Sequence, residues 1–126
     1  MGFELKPDID LNSLKDRFIE GTDYTKDEIL EDLKYYQKSD PYFLVVTYDD
    51  EDFVIGHRLG RCFHIAQAWR RNDGDLKPAK MVIEFIKKWV KEIGCVSIIF
   101  HTDRNNMGAW RRFGFSEDYI VMRCKL

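Results

Sequence analysis

The chain has 126 residues, 44% of them apolar and 33% charged, with a formal net charge of -2. That length suits one domain spanning 1–126 around a single core, and the near balance of charge argues against a sequence-independent nucleic-acid binder, which normally needs a basic excess, while leaving room for a local basic patch. The longest apolar runs, such as Phe43 to Val46 and Val96 to Phe100, are too short to cross a bilayer, and the Met-Gly-Phe-Glu-Leu-Lys start carries no export signal, so a soluble cytoplasmic protein is expected.

In chain order, Phe3 and Leu5 alternate with polar residues in a short first strand that ends at Pro7. Leu11, Leu14 and Phe18 then recur at helical spacing, with Gly21 as the stop. Thr25 and Glu28 form a capping box, in which hydroxyl and carboxylate each take a free backbone amide. The helix they open carries Ile29, Leu33 and Tyr36 on one face and ends before Pro41.

Three extended runs follow, Tyr42 to Tyr48, Phe53 to Leu59 and Cys62 to Trp69, with turn-like separators between them. This pattern predicts an antiparallel meander. A polar stretch from Arg70 to Lys77 leads to Pro78, which suits the first turn of a helix because its missing amide costs nothing there. Val82, Phe85, Ile86, Trp89, Val90 and Ile93 make the broadest apolar stripe in the sequence, and Gly94 ends that helix. Val96 to Phe100 reads as a strand covered on both faces, Met107 to Arg112 as a short helix ended by Gly114, and Tyr119 to Cys124 as the last strand. A long helix between a meander and a buried strand implies an α+β fold with a mixed, mostly antiparallel sheet and flanking helices.

Three cysteines, Cys62, Cys95 and Cys124, are odd in number, widely spaced and set among apolar neighbours, so reduced and buried thiols are expected and no metal site. His57, His64 and His101 are the side chains with a titration range suited to proton transfer. The acidic turn Asp49 to Asp52 lacks the spaced ligands and glycine of a calcium loop and reads as a solvated hairpin tip. Arg70-Arg71, Lys87-Lys88 and Arg111-Arg112 are basic pairs able to meet phosphates or an acidic partner if the fold gathers them.

The order of elements and the closing segment from Asp103 to Phe115, which contains Asn106-Met-Gly-Ala-Trp-Arg-Arg-Phe-Gly-Phe115, resemble the Gcn5-related N-acetyltransferase (GNAT) superfamily. The resemblance covers nearly the whole chain. It implies acetyl-CoA as cofactor, with its pyrophosphate cradled by amides of a glycine-rich loop at the start of the long helix, where the helix dipole favours an anion.

Mapped onto this chain, that loop is Gly74-Asp75-Leu76-Lys77-Pro78-Ala79. Only Ala79 keeps the pattern, Pro78 removes an amide, Asp75 adds a negative charge, and Lys77 and Lys80 could compensate as point charges. The resemblance also implies that amides near Ala68 and Trp69 face the thioester. The tyrosine that protonates the departing thiolate in many members is replaced by Trp110, whose indole donates a hydrogen bond but gives up no proton. His64 is the candidate base.

Some tailed bacteriophages encode small members associated with the virion interior or head assembly. Val54-Ile-Gly-His57, Cys62-Phe-His-Ile65 and Ala68-Trp69 followed by Arg70-Arg71 look similar to those proteins. The expectation is a GNAT-like pseudoenzyme in which acetyl-CoA binding is weak or lost, working through protein partners such as phage virion components. The alternative is a divergent acetyl-CoA-dependent N-acetyltransferase acting on a primary amine.

Overall fold

The computed structural model describes residues 3–20, 24–49, 51–70, 76–101, 107–116, 122, 124 and 126. Strand β1 (Phe3–Leu5) leads into a 3-10 segment (Leu11–Arg17) and helix α1 (Lys26–Ser39). Strands β2 (Leu44–Tyr48), β3 (Asp52–Leu59) and β4 (Cys62–Trp69) follow, then helix α2 (Lys77–Glu92), strand β5 (Ser97–Ile99) and helix α3 (Met107–Arg112).

The sheet order is β1-β2-β3-β4-β5, antiparallel through β4 and parallel between β4 and β5. The predicted mixed, mostly antiparallel sheet is therefore present. Among the described residues no helix is long and apolar enough to cross a membrane.

Local chemistry accounts for the helices. Thr25 Oγ1 accepts from the Glu28 amide at 3.3 Å while Glu28 Oε1 accepts from the Thr25 amide at 3.1 Å, so the predicted capping box is formed. The Leu11 segment is a 3-10 helix rather than α. Asp10 Oδ1 takes the Asn12 amide at 3.0 Å, and Leu11 and Leu14, three apart, fall on one side of a three-residue turn.

Helix α2 ends in a Schellman turn, with Cys95 N bonded to Val90 O at 2.9 Å and Gly94 at φ 88°. Helix α3 ends the same way at Gly114, and Phe115 closes back on Trp110. The Gly-Phe pair of the closing motif is thus a helix stop with its own apolar clasp. The Lys87 ammonium donates to the Phe113 carbonyl and ties α2 to this turn.

Two apolar layers sandwich the sheet. Leu44, Val46, Phe63 and Ile65 meet Val82, Ile83, Ile86 and Val90 of α2 on one face. Phe43, Val45, Phe53 and Ile55 meet Leu11, Leu14, Phe18, Leu30 and Leu33 on the other. Two details differ from expectation. Helix α1 buries Leu30 with Leu33, leaving Ile29 and Tyr36 half-buried. On α2, Ile83 is buried and Phe85 and Trp89 are only half-buried, Phe85 beside Phe3 of the edge strand and Trp89 edge-on to Phe63.

The run Val96 to Phe100 is not a strand covered on both faces. Only Ser97–Ile99 pairs, Ile98 and Ile99 are half-buried, and Val96 is 66% exposed. The reason is the short ladder, which β4 and β5 share only from Cys62↔Ser97 to His64↔Ile99. Of the three thiols expected to be buried, only Cys95 is. Cys62 is half-buried and Cys124 exposed. The expected strand Tyr119 to Cys124 and the stop at Gly21 fall on or among residues outside those described.

Candidate functional site

β4 is bent by a bulge. Ile55 pairs with Gln67 and Gly56 with Ile65, so Ala66 is the extra residue. A one-residue insertion reverses which face each later side chain points to. Phe63, Ile65 and Ala68 consequently share the α2 face, while Ala66 and Trp69 join the layer beneath α1 and the 3-10 segment.

Beyond His64↔Ile99 the two parallel strands part. A cleft of about 350 Å³ lies at this far end of β4. Ala68, Val46 and Val54 line it from the sheet, and Pro78, Ala79, Val82 and Ile83 from α2. Trp110 and Phe113 of α3 and its following turn close another wall.

Trp110 is held in a knot of aromatics, its ring 4.1 Å from Phe100, 5.3 Å from Phe115 and 6.3 Å from Phe113, centroid to centroid. Trp69 is clamped from outside the cleft. The Arg17 guanidinium sits 5.5 Å from its ring and 5.3 Å from that of Phe53, and donates to the Glu51 carbonyl.

Of the residues singled out from sequence, Ala68, Trp69, Ala79 and Trp110 line the cleft together. Lys77 and Lys80 are exposed on the first turn of α2 and are not among the lining residues. Gly74, with Asp75 and Arg71, lies outside the described residues. The first turn of α2 has Leu76 as N-cap with no side-chain hydrogen bond and Pro78 without an amide. It contains no acidic residue, whereas α1 begins with Asp27 and Glu28.

Three further polar residues line the cleft, of which Arg70 belongs to a basic pair read from sequence as able to meet phosphates. Tyr48 and Asp52 flank the β2–β3 turn and pair across it, so the acidic turn is not wholly a solvated tip. Arg70, the first residue after β4, joins them. The alternation of the strands marked Tyr48 only as a residue of one face. That this face opens onto the start of α2 is a tertiary fact.

His64 lies elsewhere. It is half-buried on the α1 side of β4, at the last pair before the strands part, and does not line the cleft. Its Nδ1 is 3.2 Å from His57 Nε2, and the ring of His101 stands edge-on at 5.7 Å. Burial, with the neighbouring His57 and His101 imidazoles adding to it, pushes the His64 pKa down to about 4. His57 is 3% exposed and stacked on Tyr36 at 3.8 Å. Burial lowers its pKa too, against the Arg58 carbonyl and the Asp40 carboxylate. A base is most effective with a pKa near the working pH, so His64 is a weak proton acceptor at neutrality. Among the described residues no group of histidine, cysteine and carboxylate side chains is arranged to hold a metal.

No protein-family model and no curated protein matches the sequence. Solved structures do match its shape. Glucosamine-6-phosphate N-acetyltransferase from Arabidopsis thaliana is similar at 14% identity and TM-score 0.61, over 99% of each chain. An acetyltransferase from Trypanosoma brucei is similar at 15% identity and TM-score 0.62, over 98% of this chain and 99% of that one. An aminoglycoside acetyltransferase from an uncultured soil metagenomic sample is similar at 13% identity and TM-score 0.62, over 100% of this chain and 99% of that one. At these identities the likeness is one of fold, and the fold is that of the Gcn5-related N-acetyltransferases.

Proposed function

We propose that this chain is a GNAT-fold domain without catalysis that works through contacts with protein partners. The observation that carries the reading is Trp110. Where many members of the superfamily place a phenol, this cleft has an indole packed among Phe100, Phe113 and Phe115, a wall that can bind but cannot protonate a leaving thiolate. Two features support it. His64 is turned to the α1 side with a depressed pKa, and Pro78 deletes one amide from the α2 terminus that would face a pyrophosphate.

The role we assign is that of an assembly or virion-associated component of a bacteriophage, acting in the host cytoplasm or in the particle. It rests on the resemblance of Val54 to His57, Cys62 to Ile65 and Ala68 to Arg71 to small phage members of the superfamily.

A second reading, a divergent acetyl-CoA-dependent N-acetyltransferase of primary amines, is favoured by a different observation. The first turn of α2 pairs its positive dipole end with Lys77 and Lys80 and contains no acid of its own, a combination that favours an anion. The cleft beside it holds Tyr48, Asp52 and Arg70. In that case the amine attacks the thioester carbonyl, its proton passes to Asp52 or water, and the departing thiolate takes up a proton from water to leave as the free thiol.

Calorimetric titration with acetyl-CoA at near-physiological salt separates the two. The first reading expects no binding in the low micromolar range, about -8 kcal/mol. Binding of that strength, abolished by Lys77→Glu and accompanied by acetylation of an amine, would replace it with the second.

A further inference from the structure

On the face of the sheet opposite α2, four aromatic rings run from helix α1 to the end of β5. Tyr36 of α1 stacks on His57 of β3 at 3.8 Å with the planes 9° apart. His57 Nε2 lies 3.2 Å from His64 Nδ1 on β4, and the His101 ring stands edge-on to His64 at 5.7 Å. We infer that Tyr36, His57 and His64 form a pH-sensitive latch, which fastens α1 to the sheet while both imidazoles are neutral and releases it when they take up protons. This does not depend on whether the cleft binds a ligand.

The geometry sets the chemistry. A contact between two ring nitrogens has room for one hydrogen, so one imidazole donates and the other accepts. If His57 Nδ1 donates to the Arg58 carbonyl, 3.5 Å away, His57 Nε2 is the acceptor and His64 the donor. A first proton can then enter at the outer nitrogen of His64. A second has only His57 Nε2, where N–H would oppose N–H across 3.2 Å between two cations. The pair therefore titrates as a unit.

The surroundings offer a charged pair little relief. His57 is 3% exposed and roofed by Tyr36. From the end of α1 the Asp40 carboxylate favours a proton on His57, but its two oxygens already accept the Tyr42 amide at 2.8 Å and the Arg58 amide at 2.7 Å. The Arg58 guanidinium is directed to the carbonyls of Gly60 and Ile93 and over the Tyr42 ring. From β4 the Cys62 thiol accepts from Ser97 Oγ of β5 at 3.1 Å, and beyond β5 a charge on His101 opposes one on His64. Lifting α1, and Tyr36 with it, is the readiest way to bring water to the imidazoles.

The direction follows from linkage. Both folded-state values lie below the ordinary histidine value of 6.5, with His64 at about 4. The latched form thus binds fewer protons than the released form across that window. The contribution is fully present above the ordinary histidine pKa and is lost as pH falls through the window, by about tenfold in the released fraction per pH unit for each proton taken up.

The test is hydrogen exchange on the full chain, with rates corrected for intrinsic pH dependence, alongside NMR titration of the imidazole carbons from about pH 7.5 to 4.5. The expected result is that α1 amides lose protection below the ordinary histidine pKa by about tenfold per pH unit for each imidazole that takes up a proton, and so by up to about a hundredfold per unit for the pair, while α2 amides keep theirs. His57→Phe, which preserves a ring for Tyr36 and removes one of the two proton sites, should make that dependence shallower, as should His64→Gln. Protection in α1 that is unchanged with pH, or that falls together with α2, would overturn the latch. So would a variant that keeps the wild-type slope. If neither variant folds, the wild-type exchange profile alone decides.

Discussion

Gly56 on β3 lies against the ring of Phe63 on β4. A Cβ placed on Gly56 would sit 2.3 Å from Phe63 Cε2 and 2.9 Å from the His64 carbonyl. Phe63 has no exposed surface, so it cannot swing out to make room. Gly56→Ala should therefore destabilise the protein by about 1–3 kcal/mol, the range for overpacking a dense core. Equilibrium urea unfolding measures it, and a loss below about 0.5 kcal/mol would mean that β3 and β4 pair in another register.

The stripe on α2 is not uniform. Ile86 is fully buried, whereas Trp89 is half-buried and meets Phe63 edge-on at 5.5 Å. Ile86→Ala should cost about 2–5 kcal/mol. Trp89→Ala should fall near or below the low end of the 3–5 kcal/mol typical of buried aromatics. Denaturant midpoints of the two variants at constant m-value test the order.

At the start of α1, Thr25→Ala removes the hydroxyl that accepts the Glu28 amide. The expected loss is about 1 kcal/mol, with Thr25→Asn close to wild type because its side chain can accept the same amide. Thermal melts of the pair check it. An alanine variant as stable as the asparagine variant would mean that the box contributes nothing in solution.

Trp110→Tyr separates binding protein from enzyme. In the proposed reading it changes only the packing with Phe100, Phe113 and Phe115, shifts stability by about 1–3 kcal/mol and produces no amine acetylation. A variant that gains or raises acetyl transfer would show that the cleft holds the rest of a working site. Transfer of the acetyl group to a panel of primary amines, followed by release of free thiol, is the measurement.

Much of the fold was legible along the chain because its causes are local. The Thr25–Glu28 box closes over three residues, the bounds of β4 follow from its run of extended-type residues between turns, and Gly94 and Gly114 each supply the positive φ that ends a helix. The GNAT resemblance rested on motifs of the same kind. The candidate site was legible only in part. Ala68, Trp69, Ala79 and Trp110 do meet, but nothing in spacing marks Tyr48 and Asp52 as cleft residues, since neither belongs to a motif.

The sequence by itself determined most of the described elements, their order and the absence of a phenol at position 110, since propensity, capping and residue identity act over a few neighbours. The tertiary structure decided which way β4 faces. The bulge at Ala66 turns Ala68 toward α2 and Trp69 toward Arg17, and no alternation pattern contains an inserted residue. It also decided that His57, His64 and Tyr36, spread over three elements, share one buried contact. Pairing register and helix docking are set by core packing across the whole sheet, and that balance is not written in any one stretch of the chain.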